Sequence, residues 1–67
     1  MNLVEKARVR LHHWIAHNEG HQEEYEKLAA ELDEAGKRAS ALQIRETIEL
    51  SKRTDECLRK ALTALEQ

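Results

Sequence analysis

The chain has 67 residues with a net charge of −2 and no proline, two glycines and two aromatic residues, Trp14 and Tyr25. That length means one domain, and the scarcity of strand-favouring aromatic residues argues for helices over a sheet. The mild negative charge gives no long-range attraction for nucleic acid, no apolar run approaches the ~20 residues of a membrane span, and Met1 to Arg10 has no apolar signal core, so a cytoplasmic location is the default expectation.

The first predicted element is a helix over about residues 3–35. With heptad position a at Val4, the a positions are Val4, Leu11, Asn18, Tyr25 and Leu32, and the d positions are Ala7, Trp14, His21, Leu28 and Ala35. One phase held throughout predicts one continuous helix. The Asn18-Glu19-Gly20 stretch is its weak point, because Gly20 costs roughly 1 kcal/mol against alanine. A break there would give a three-helix bundle instead. Gly36 stands where a helix C-terminal glycine belongs, which places the turn at 36–39.

A second helix is predicted over about 40–66. Ser40 and Gln43 have capping-box spacing, although Lys37 to Ala39 could extend the helix. Its a positions are Ala41, Ile48, Asp55 and Leu62, and its d positions are Ile44, Ser51, Leu58 and Leu65. The expected fold is therefore all-α: an antiparallel two-helix hairpin that dimerises into a four-helix bundle. Dimerisation is expected because so short a chain buries too little apolar area alone, and the single Cys57 excludes an internal disulfide. Trp14, Leu28, Ile48, Leu58 and Leu62 are the expected core, partly across the interface.

Both helices interrupt their apolar stripes midway. Folding back at Gly36 brings Asn18 toward Asp55 and His21 toward Ser51, so these four are expected to share one polar layer. Such a layer can simply set register and oligomeric state. It can also hold a metal or a small polar ligand.

All four histidines, His12, His13, His17 and His21, fall within ten residues. His13, His17 and His21 are spaced i, i+4, i+8, and at about 100° per residue they lie within ~80° of one another. Adjacent members can chelate one ion, whereas His13 to His21 spans about 12 Å, too far for bonds near 2 Å. A site would use His13 with His17 or His17 with His21, completed by Glu24, Asp55 or a second chain. Imidazole ligands point to zinc, nickel or cobalt. A solvated polar face is the plainer reading of the same residues. No HExxH or Glu-x-x-His motif, CxxC pair, phosphate loop or activated nucleophile is present, so an enzyme is not expected.

The stretch from His13 to Tyr25 has the pattern HWIxHNxxHxxEY, over about a fifth of the chain. It resembles a small helical domain of unknown function in anaerobic bacteria and archaea. It is similar to tails on proteins of nickel or cobalt handling, including accessory proteins of carbon-monoxide dehydrogenase type. The resemblance implies His13, His17, Asn18, His21, Glu24 and Tyr25 as positions to test, and a protein partner in metal handling. The rival functional expectations are a metal-binding module, acting as sensor, chaperone or store, and a purely structural dimerisation hairpin. An RNA-binding hairpin ranks below both, because glutamates interleave with Lys6, Arg10, Lys52, Arg53, Arg59 and Lys60 and no aromatic platform is evident.

Overall fold

A computed structural model describes residues 2–67 as two antiparallel helices, α1 (Leu3–Glu34) and α2 (Arg38–Leu65). The hairpin measures 51 × 17 × 10 Å. α1 opens on Asn2, whose side-chain Oδ1 accepts a hydrogen bond from the Glu5 N–H at 2.9 Å, satisfying one of the free donors of the first turn. It then runs 32 residues without a break, passing through Asn18-Glu19-Gly20. The three-helix alternative is thereby excluded. Gly20 is exposed, and a methyl group placed on it would meet nothing within 4 Å.

The turn follows from Gly36, whose φ of 78° is a left-handed value that glycine adopts without strain. The Lys37 N–H donates to the Leu32 carbonyl at 2.8 Å and the Gly36 N–H to that of Asp33 at 3.0 Å. This is a Schellman closure, and it satisfies carbonyls that the helix end would otherwise leave free. α2 begins at Arg38, two residues ahead of Ser40. Lys37 occupies its N-cap position without a side-chain hydrogen bond, so the Ser40/Gln43 box does not start the helix.

The two helices use different stripes to meet. α2 presents its a and d positions as expected, with Ala41 and Ile48 buried and Ile44, Ser51, Asp55, Leu58, Leu62 and Leu65 half-buried. α1 presents a and e instead. Ile15 and Ala29 are its buried residues, flanked by half-buried Leu11, Asn18, Gln22 and Leu32. Exchanging d for e turns the contact stripe by about 50° around α1. Trp14 and Leu28, expected in the core, are consequently 51% and 45% exposed. The physical reason lies in size and charge. Ala29 is fully buried, as is Ala41 beyond the turn, and such small side chains allow the close helix approach that Leu28 would obstruct.

This rotation also brings four charged residues of α1 to the edge of the contact. Arg8 bridges to Glu66 through Nε–Oε1 at 2.7 Å and Nη2–Oε2 at 3.2 Å. Glu19 receives Arg59 at 2.8 Å, and Arg45 spans Asp33 at 2.6 Å and Glu26 at 3.6 Å. Arg8, Glu19, Glu26 and Asp33 recur at near-integral numbers of turns, so one flank of the hairpin carries every one of these links. The Arg8 guanidinium, by hydrogen bond and then by charge, holds the Glu66 carboxyl below its ordinary value. These pairs are exposed and contribute little individually, but together they select one rotation.

Two glycine substitutions test this account. Gly20→Ala is expected to stabilise the protein by about 1 kcal/mol, since alanine fits the open site and favours helix. Gly36→Ala is expected to destabilise it by about 1 kcal/mol or more, through the left-handed φ. Urea unfolding at fixed protein concentration measures both, and a destabilising Gly20→Ala would mean that the helix is broken there in solution.

Candidate functional site

The middle of the hairpin holds two polar groupings, one between the helices and one on the surface of α1. Between the helices, the Asn18 side-chain amide donates to the Ser51 carbonyl oxygen at 2.9 Å. The Ser51 hydroxyl donates back to Asn18 Oδ1 at 2.7 Å. Gln22 adds a third bond, its Nε2–H donating to Ser51 Oγ at 3.1 Å. Asp55 sits alongside, with Oδ2 accepting from Arg59 Nε at 3.1 Å and Oδ1 buried without a partner.

A polar layer thus exists at the expected level, but its pairing differs from expectation. Asn18 meets Ser51, not Asp55. His21, although half-buried, makes no hydrogen bond to Ser51: its Nε2 meets His17, and e-position Gln22 reaches Ser51 in its place. Gln22 was missed because the heptad assignment gave it no role. The signal that could have found it is the recurrence of Arg8, Ile15, Gln22 and Ala29, a stripe as continuous as the one through Trp14.

On the surface, His17 and His21 converge. Their Nε2 atoms lie 2.8 Å apart, with the rings edge to face at a centroid distance of 4.4 Å. The two nitrogens stand at hydrogen-bond distance, with the donor set by the tautomer. His13 stacks behind His17 at 6.0 Å between centroids, and Tyr25 stacks beyond His21 at 5.9 Å. Glu24 Oε2 stands 3.8 Å from His21 Nδ1, beyond hydrogen-bond length. Trp14, His17, Asn18 and His21 line a shallow groove with Thr54 and Leu58 of α2.

Of the two histidine pairs that spacing allows, His17/His21 is the one whose nitrogens meet. The wider set His13, His17, His21, Glu24 and Asp55 is not gathered in one chain. Among the described residues no three histidine, cysteine, aspartate or glutamate side chains form a group able to hold a metal ion. Asp55 belongs to the helix contact through Arg59, and Cys57 is exposed elsewhere on α2.

Fold and site together define a helical hairpin with a polar layer inside and a histidine pair outside. The chain belongs to the family described as Domain of unknown function (DUF8180), whose model matches residues 7–65. That description assigns no activity. No curated protein matches the chain, and no solved structure does. No helix among the described residues is long and apolar enough to cross a membrane.

The inner layer has a direct test. Ser51→Ala leaves Asn18 Oδ1 without its donor and Gln22 without its acceptor, an expected cost of about 1–3 kcal/mol. Asn18→Ala should cost a similar amount, and the double variant should lose less than the sum, with a coupling of roughly 0.5–3 kcal/mol. Strict additivity in urea melts would show that these bonds do not operate together.

Proposed function

We propose that the protein is a transition-metal-binding helical module in which His17 and His21 chelate one ion. The observation that carries this reading is the 2.8 Å separation of the two Nε2 atoms. Two imidazoles bound to one tetrahedral zinc, with bonds near 2.0–2.1 Å, stand about 3.3 Å apart at nitrogen. The pair therefore needs only to open slightly, with no backbone movement. The rigid α1 supplies both ligands at i, i+4 spacing, so little ordering entropy opposes binding. With Nε2 on the ion, His21 Nδ1–H would aim at Glu24 after a small rotamer change, the carboxylate support that histidine ligands commonly have. Zinc, nickel and cobalt suit imidazole, whereas magnesium and calcium do not.

The groove at the pair is shallow and open, which suits a sensor, chaperone or store. A protein partner in metal handling would meet the ion at this exposed position. A reducing, cytoplasmic setting agrees with the exposed thiol of Cys57. A second reading is a structural dimerisation hairpin with no ligand. It is favoured by the exposure of Trp14 and Leu28, large apolar side chains on one side of α1 that a partner would cover.

Titration calorimetry with Zn²⁺ and Ni²⁺ separates the two. His17→Ala should weaken binding most, His21→Ala nearly as much, and His12→Ala, about 100° around the helix from His13, very little. Acidification should weaken binding, because only neutral imidazole ligates. Equal losses for His12→Ala and His17→Ala would overturn the chelate reading.

A further inference from the structure

We infer that the metal site is completed by a second copy of the chain, whose own His17 and His21 supply the other two ligands of a four-imidazole centre. This rests on the chelate reading and adds where the remaining ligands come from. Among the described residues one chain gathers no third ligand beside the two imidazoles, whereas zinc held in a closed protein site takes four.

The occupant follows from the surface around the pair. The hairpin is two-faced. Its ion pairs line one flank of the helix contact, and the histidines lie on the other, beside Trp14. On α2 that second face carries Thr47, Leu50, Thr54, Leu58, Ala61 and Leu65, and no charged side chain falls among them at helical spacing. The chain exposes 5306 Å². A folded monomer of this mass exposes about 4400 Å² by general scaling, so the excess is roughly 900 Å². That is close to the ~800 Å² each partner contributes to a standard stable interface. The face itself exposes Trp14, Leu28 and Leu50, and being free of charge on α2 it matches an identical face and offers an acidic or basic partner little to pair with.

Symmetry then positions the ligands. His17 and His21 straddle the midpoint of α1, Leu3–Glu34. In a two-fold dimer with α1 packed antiparallel on its copy, residues at the axis meet their own equivalents, and full overlap of the two helices puts the axis at their midpoint. The histidine pair of one chain would face that of the other across the axis. Trp14 and Leu28, on either side of the midpoint, would be covered by the same contact. Four nitrogens from two crossed pairs approximate a tetrahedron, the arrangement zinc and cobalt accept.

Native mass spectrometry and calorimetry of the full chain with Zn²⁺, joined by visible spectroscopy with Co²⁺, test this. The expected result is one ion per two chains, with the intense bands of four-coordinate cobalt. His17→Ala should abolish that stoichiometry. Leu50→Lys alters a residue of the face that is 56% exposed and lies outside the groove of His17 and His21. It should keep the helical circular dichroism yet weaken Zn²⁺ binding by about tenfold or more, by burying an unpaired charge at the interface. One ion per monomer, sensitive to His17→Ala, would overturn the shared site and leave the chelate standing. No binding by the native chain would overturn both. Retention of one ion per two chains by Leu50→Lys would overturn the assigned face.

Discussion

The reciprocal hydrogen bonds between Asn18 and Ser51 govern the rest of the molecule. Two smooth apolar helices can slide and roll against each other at small cost, because dispersion and burial are nearly indifferent to rotation. A side-chain amide that donates to the backbone carbonyl of Ser51 and accepts from its hydroxyl is not indifferent. It holds α1 at one height relative to α2, while the close approach at Ala29 and the charged flank select the rotation. With height and rotation set, Gln22 reaches Ser51, Ala29 lies fully buried, and the arginines of α2 reach the acidic edge of α1. Trp14 and Leu28 are left at the outside by the same rotation.

Much of this architecture was legible in the residues. Low aromatic content, the unbroken heptad phase and Gly36 were sufficient for two helices and a reversal, and α2 meets its partner through the a and d positions that its pattern marks. The level of the polar layer was legible too, since Asn18 and His21 on α1 lie at distances from Gly36 comparable to those of Asp55 and Ser51 on α2. The rotation of α1 was not. Ile15 and Ala29 at e and Trp14 and Leu28 at d form two equally continuous apolar stripes, and heptad convention favours d. What distinguishes them is the charged flank, Arg8, Glu19, Glu26 and Asp33, which needs opposite charges on α2 within reach. That is a pairwise property of two helices, and the periodicity of one helix does not contain it.

The same ambiguity clarifies the histidines. Spacing permits His13/His17 and His17/His21 equally. Only side-chain rotamers decide between them, and here His21 turns its ring edge toward His17 while His13 stacks flat behind. Having two usable apolar stripes, α1 can engage α2 with one and keep the other, which carries His21, for a further contact.

The order in which the contacts occur along the chain has a kinetic consequence. Arg45 and Asp33 are separated by 12 residues, Ser51 and Asn18 by 33, and Arg8 and Glu66 by 58. Closing the shortest loop first is the least costly in chain entropy, and the later pairs then close only the 21 and 25 further residues beyond an arch already shut. The hairpin therefore zips from Gly36 toward its open end. Unfolding begins where the two termini meet, and the junction of Arg8 with Glu66 is the first to fray and the last to seal.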